Sequence, residues 1–151
     1  MPLTAMEHYL VLTDDLLRTR DFYLDVLGMA GGYRPPLEFP GHWLYVGSTP
    51  CIHIAEWDSY TRHAQVNGLS VSRRAPGTGP VDHIAFNATD HEAMVALLEG
   101  RGIAHERNAF PSIGLRQIFL HDPNGVKIEL NFMASRDALN KSILDLSEDG
   151  R

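Results

Sequence analysis

Asp82-His83-Ile84-Ala85-Phe86 and, further on, Lys127-Ile128-Glu129-Leu130 decide how this chain is read, because an earlier stretch repeats their design. Glu7-His8-Tyr9-Leu10-Val11-Leu12 opens the earlier stretch and Cys51-Ile52-His53-Ile54 closes it. His8 and His53 stand 45 positions apart, His83 and Glu129 46. Each half begins with a His near the start of a strand-like run and closes with a metal-ligating residue type inside another. A duplicated module with His or Glu at both ends points to a metal site far more strongly than any one of the four alone.

The segments between follow one order in both halves. Residues 8–13 are rich in aliphatic and aromatic side chains and read as a strand. Thr13-Asp14-Asp15 offers N-cap side chains for a helix over about 16–26, stopped by Gly28. Residues 43–46 and 51–55 read as two strands joined by the Gly47-Ser48-Thr49-Pro50 turn, with a further short strand over 29–34. In the second half, 83–87 is a strand, Thr89-Asp90 a cap and 93–98 a helix ended by Gly100 and Gly102. Strands over 103–107 and 116–121 follow, then the Asp122-Pro123-Asn124-Gly125 turn and a final strand over 126–132. Each half is strand, helix, then up to three strands.

Two segments stand outside the repeat. Residues 57–80 are polar and glycine-rich and read as a long loop, of the kind that serves as a lid or stays without fixed structure. After Met133, Ala138, Leu139, Ile143, Leu144 and Leu146 recur at helical spacing, so a docked amphipathic helix is expected in the tail.

Side chains alternate faces along a strand, which tests each candidate ligand against its neighbours. His53 shares its face with Cys51 and Ala55, with Ile52 and Ile54 opposite. Glu129 lies with Lys127 and Asn131, opposite Ile128 and Leu130. His83 lies with Ala85 and Asn87, opposite Ile84 and Phe86. The greasy face suits helices and the ligand face is small or polar. His8 departs from this, since Leu10 and Leu12 share its face. Neutral imidazoles and a carboxylate suit Fe, Ni, Zn, Co or Mn, and an incomplete protein shell leaves positions for water or substrate. His42, His63, His91, His105 and His121 read as surface or hydrogen-bonded residues.

Composition narrows the function classes. At 151 residues the chain can bury a real core. A net charge of −6 makes a nucleic-acid backbone an unfavourable partner. No run approaches the roughly 20 apolar residues a membrane helix needs. The N-terminus has no signal-peptide pattern. The lone Cys51 cannot form an internal disulfide, which suits the cytoplasm.

These residues resemble the vicinal oxygen chelate superfamily, which includes glyoxalase I, extradiol dioxygenases, methylmalonyl-CoA epimerase and fosfomycin or bleomycin resistance proteins. The resemblance covers about residues 5–132. It rests on Glu7-His8 with Thr13-Asp14, on Asp21-Phe22-Tyr23 through Leu27-Gly28, on Val81-Asp82-His83-Ile84, and most specifically on Asp122-Pro123-Asn124-Gly125-Val126-Lys127-Ile128-Glu129-Leu130. Arg34-Pro35-Pro36 through Trp43-Leu44, with Ile52-His53-Ile54, resemble a glyoxalase-I-like subgroup. The resemblance implies an α+β fold of two βαβββ modules, each forming half of an open, curved mixed-sheet barrel around a metal, and a homodimer. It also implies one domain over 1–132, with module 1 about 5–56, a linker or lid over 57–80 and module 2 about 81–132, followed by the helical tail over 133–151.

By position, His8, His83 and Glu129 match three metal-ligand places of the superfamily. His53 falls where glyoxalase I has its remaining carboxylate ligand and where extradiol dioxygenases have a catalytic acid/base His. Two departures matter. Glyoxalase I would have Glu at position 53. Extradiol enzymes would have Tyr ten residues before the glutamate, where this chain has Phe119, and a further His near Phe110. The expectation is one divalent metal on His8, His53, His83 and Glu129, with His53 and Glu129 also catalytic. The enzyme would be of glyoxalase/lyase type, acting on a small substrate that chelates the metal through vicinal oxygens. An Fe(II) extradiol-type ring-cleaving dioxygenase is the alternative. The other class is a non-catalytic drug-binding protein, for which Phe39, Trp43 and Tyr45 could line a cleft. Arg34, Arg116 and Lys127 are candidates for holding an anionic substrate.

Overall fold

A computed structural model describes residues 5–71 and 74–134. The chain divides into two compact units, Met1–Pro76 and Gly77–Arg151. The first contains strand β1 (Tyr9–Thr13), helix α1 (Leu16–Asp25), strands β2 (Ala30–Gly31), β3 (Gly41–Val46) and β4 (Thr49–Glu56), and helix α2 (Trp57–Val66). The second contains β5 (Ile84–Ala88), α3 (His91–Gly100), β6 (His105–Phe110), a 3-10 turn (Pro111–Ile113), β7 (Leu115–His121) and β8 (Lys127–Met133). Both are βαβββ modules with four-stranded mixed sheets, ordered β1-β4-β3-β2 and β5-β8-β7-β6. In each, the first and last strands run parallel and the other pairs antiparallel. The α+β architecture expected from the sequence is the one present.

Local chemistry explains the element starts. Thr13 Oγ1 accepts from the Asp15 N–H at 3.0 Å, and the Asp15 carboxylate then accepts from Arg18 N–H at 3.0 Å, which caps α1. Asp90 caps α3 through the Ala93 N–H at 3.1 Å, from a left-handed backbone (φ 59°) that Asp tolerates better than most residues. The β7–β8 turn is fixed by Asp122, whose carboxylate accepts from the Asn124 and Val126 N–H groups at 2.8 and 2.9 Å. Gly125, at φ 80°, supplies the positive dihedral there.

Ile52, Ile54, Leu44 and Tyr23 are buried in the first unit; Ile118, Ile128, Leu130, Phe132 and Leu98 are buried in the second. The alternation along β4 and β8 therefore sends the predicted apolar faces inward. His8 is settled as well. Val11 and Thr13 are the buried residues of β1, so His8 lies on the other, half-exposed side with Leu10 and Leu12.

The long loop over 57–80 is corrected in part: its first ten residues are α2. Trp57, Tyr60 and Ala64 recur at helical spacing and mark one face of this helix, within a stretch that is otherwise polar. Tertiary contacts complete it, with Ala64 fully buried and the Tyr60 and His63 rings 5.4 and 4.8 Å from the ring of Phe39. The strand expected over 103–107 sits later, at His105–Phe110, because residues 102–104 complete the end of α3, where Ile103 N–H donates to the Leu98 carbonyl. Apart from Met133, which ends β8, and Ala134, the tail expected to be helical lies outside the described residues.

Candidate metal-binding site

In the second unit, strand register brings His83 and Glu129 together. Ala85 pairs with Glu129 across the parallel β5–β8 ladder, and His83 stands two residues before Ala85 on the same face. His83 Nε2 lies 2.9 Å from Glu129 Oε2. The other ring nitrogen, Nδ1, lies 2.8 Å from Asp82 Oδ2. An ionised carboxylate only accepts, so Asp82 takes a hydrogen bond from Nδ1, and Nε2 is the nitrogen turned to Glu129 in the same way, where a bound cation would take the place of a proton. The hydrogen bonds from His83 and from Lys127, 3.0 Å away, hold the Asp82 carboxyl below its usual range, which keeps it ionised for that job.

Glu129 is held on its other oxygen. Oε1 accepts from Gln117 Nε2 at 3.0 Å and from Asn131 Nδ2 at 2.7 Å. Oε2 is thereby the oxygen presented to His83. Phe119 pairs with Glu129 across β7–β8 and meets the His83 ring edge-on at 6.3 Å. It puts a hydrocarbon edge where the extradiol pattern has a phenol.

The first unit repeats the arrangement. Leu10 pairs with His53 across β1–β4, and His8 stands two residues before Leu10. Measured by register, the one-residue mismatch between the two sequence intervals disappears. His8 Nδ1 lies 2.9 Å from Glu7 Oε1, much as His83 Nδ1 lies 2.8 Å from Asp82 Oδ2, so Nε2 is the nitrogen turned away from that carboxylate. A metal-binding His characteristically gives its second N–H to a carboxylate or carbonyl, which fixes tautomer and ring orientation. Trp43 pairs with His53 as Phe119 pairs with Glu129, and its ring lies 4.7 Å from His8 and 5.4 Å from His53. The His8 and His53 rings are 6.2 Å apart.

His53 differs from Glu129 in its surroundings. It is 4% exposed, stacked at 5.7 Å on Phe39, and its Nε2 has no hydrogen-bond partner. Burial first, then the Arg34 guanidinium and the neighbouring His8, lower its pKa from 6.5 to about 4, so the ring is neutral at pH 7.

Four expected site residues thus form two pairs, one per unit. Among the described residues no group of three His, Cys, Asp or Glu side chains converges. The donor chemistry fits a divalent cation at His83 and Glu129, where an imidazole nitrogen and a carboxylate oxygen already meet, and at His8, whose Nε2 is freed by Glu7.

Other candidates find different places. Phe39 is buried, Tyr45 donates its hydroxyl to the Tyr33 carbonyl at 2.6 Å, and Arg116 pairs with Glu92. Lys127 pairs with Asp82 and lies over the Phe119 ring. Gln117 and the two acids Glu7 and Asp82 touch the candidate residues, and the sequence reading did not assign them. The acids had a signal, since one precedes the His in each half. Gln117 had none beyond its place two residues before Phe119.

Among the described residues, no helix is long and apolar enough to cross a membrane. The family model of the Glyoxalase/Bleomycin resistance protein/Dioxygenase superfamily matches residues 5–130. "Glyoxylase I 4" of Arabidopsis thaliana is 30% identical over 135 residues, 85% of this chain and 70% of that protein. Lactoylglutathione lyase from Agrobacterium tumefaciens superposes with TM-score 0.65 at 19% identity, over 87% of this chain and 95% of that one. The fosfomycin resistance protein FosX from Listeria monocytogenes does so with TM-score 0.62 at 16% identity, over 89% and 98%. At such identities the two structural likenesses speak for the fold alone.

Proposed function

We propose that this chain, which belongs to the glyoxalase/bleomycin resistance protein/dioxygenase superfamily, is a metal-dependent enzyme of glyoxalase/lyase type whose small substrate presents two adjacent oxygens. The repeated register carries this reading: each module places a carboxylate-backed His two residues before the strand partner of a second ligand-type side chain. His8, His83 and Glu129 are the residues that would hold the metal, one of Fe, Ni, Zn, Co or Mn. When bound, such a cation polarises a substrate oxygen and stabilises negative charge developing on it.

The chain's own residues supply the rest. Glu7 and Asp82 keep the Nδ1 protons in place and turn both Nε2 atoms to the site. Gln117 and Asn131 hold Glu129 Oε1, so Oε2, which faces His83 Nε2, is the oxygen that would bind a cation or take a proton from substrate carbon. His53, with its pKa near 4, accepts hydrogen bonds well at pH 7 but holds a transferred proton poorly.

The relative from Arabidopsis thaliana, named for glyoxylase I, supports the lyase side. Phe119 opposite Glu129 weighs against ring cleavage, since a phenyl ring cannot donate a hydrogen bond to a phenolate. We place the enzyme in the cytoplasm, on its single cysteine, and as a homodimer, on the sheet edges that β1 and β2, and β5 and β6, leave in their units. Turnover of hemithioacetals with Ni, Co or Zn, and none of catechols with Fe(II) and oxygen, is the expected result. Oxygen uptake on catechols would replace this reading with the ring-cleaving one.

A further inference from the structure

Four carboxamides stand in one row across the second sheet. Asn87 pairs with Asn131 between β5 and β8, Asn131 with Gln117 between β8 and β7, and Gln117 with Asn108 between β7 and β6. Paired residues share a face, so the row lies on the Glu129 face of the sheet, two residues and about 7 Å along the strands from Glu129. The row is open to solvent: Asn87 and Asn108 are exposed, Gln117 and Asn131 half-buried. Two residues further on the face turns apolar, where Phe110, Leu115 and Met133 stand in register and Phe110 is 43% exposed.

The amides run their hydrogen bonds one way. Asn108 Oδ1 accepts from the Ala109 N–H at 2.9 Å, and its Nδ2 donates to Gln117 Oε1 at 3.3 Å. Gln117 Nε2 donates to Asn131 Oδ1 at 3.0 Å, and Asn131 Nδ2 to Glu129 Oε1 at 2.7 Å. The chain stops at Asn131, which keeps a second N–H. Asn87, on the neighbouring strand, has no hydrogen-bond partner among the described residues. Holding Glu129 requires Gln117 and Asn131, but neither Asn87 nor the apolar row.

Polarity selects what such a face takes. The open groups are a donor on Asn131 and, on Asn87, an amide that both donates and accepts. An uncharged group that does both, an amide or a hydroxyl, satisfies the two together, whereas an ester only accepts. A carboxylate would lie beside Glu129 with no Lys or Arg in the amide row or the apolar row to offset the repulsion. Lys127 stands on the far side of Glu129 and pairs with Asp82. Past the amides, the exposed Phe110 ring favours hydrocarbon.

We infer that the amide row, with the Phe110 row beyond it, is a specificity surface for an uncharged hydrogen-bonding group that leads into a hydrocarbon end. The substrate class is then a compound whose two chelating oxygens are followed, about 7 Å on, by a neutral polar segment and then by an apolar end rather than a charged one. This deepens the proposed function, on which the word substrate rests, but the surface itself lies wholly within the second unit.

Metal-free full-length protein carrying ¹⁵N in its Asn and Gln side chains tests the surface by NMR. N-hexylacetamide, which has no chelating pair of oxygens, should move the side-chain resonances of Asn87 and Asn131 and leave those of Gln65 and Asn124 in place. 1-Hexanol at the same sites would extend the class to hydroxyls, and silence from 1-hexanol would narrow it to amides. Hexyl acetate, which lacks the donor, should bind about 2- to 10-fold more weakly than the amide. Asn87→Ala should weaken N-hexylacetamide by a similar factor, read on Asn131. Phe110→Ser should lose the gain that the hexyl chain gives over N-methylacetamide, and 6-acetamidohexanoate, which charges the apolar end, should lose it in the parent. No response at Asn87 and Asn131, equal binding of hexyl acetate, unchanged affinity in Asn87→Ala, or tighter binding of 6-acetamidohexanoate would overturn the inference. If calorimetry shows no Zn²⁺ binding, the metal reading fails and the word substrate with it, while the N-hexylacetamide arm still decides the surface.

Discussion

His83 Nε2 lies 2.9 Å from Glu129 Oε2, with Asp82 behind the imidazole and Gln117 behind the carboxylate. The candidate ligand pair is thus held at both ends by neighbouring side chains. Such backing groups tune metal affinity by about 10- to 100-fold.

Removing the backing of the imidazoles should therefore be visible without touching a ligand. Asp82→Ala and Glu7→Ala should each lower metal affinity by about 10- to 100-fold. Both acids are exposed, so thermal stability of the metal-free proteins should stay within about 0.5 kcal/mol of the parent. Calorimetric titration with Zn²⁺ reads the first quantity and a chemical denaturation curve the second. Unchanged affinity in both variants would remove the orienting role.

Gln117 offers the matching test at the carboxylate. Gln117→Leu removes the donor to Glu129 and Asn131, and should weaken metal binding by about tenfold. Gln117→Glu should do worse in metal-free protein, because a second carboxylate beside Glu129 raises the pKa of one of the pair. Carbon-detected NMR titration of the two side chains would show that rise, and independent, ordinary titrations would contradict it.

His53 makes the metal-free protein sensitive to acid. Its pKa is about 4 when folded, against 6.5 for an ordinary His. The unfolded chain therefore binds the extra proton first, and stability present above pH 6.5 is lost as pH falls towards 4. The loss by pH 4.5 is about 2–3 kcal/mol from this residue. Burial lowers the His42 and His91 values too, so they add in the same direction. Urea unfolding at pH 7.5 and 4.5 should show a smaller fall in His53→Phe than in the parent. Parallel falls would mean that His53 is not the cause.

Much of this was legible in the sequence because strand periodicity and duplicated spacing are strong signals. The apolar faces of β4 and β8, the Asp15 and Asp90 caps and the Asp122–Gly125 turn were all readable from residue type and offset. Helix α2 was legible only in the short spacing of Trp57, Tyr60 and Ala64, which the polar and glycine-rich residues around and after it outweighed; its partner Phe39 is brought to it by the fold. The sequence intervals 45 and 46 hid an exact equivalence, which only the Leu10–His53 and Ala85–Glu129 pairings display. Gln117 was invisible for a related reason: its contact with Glu129 is made across a ladder, and cross-strand register is not written in one strand's composition.

We propose that His8, His83 and Glu129 hold one divalent cation per chain. Elemental analysis of protein purified without added metal tests it most directly, alongside His8→Ala, His83→Ala and Glu129→Ala. About one metal per chain in the parent, with strong loss in all three variants, is the predicted result. Full occupancy in His83→Ala and Glu129→Ala would contradict the account.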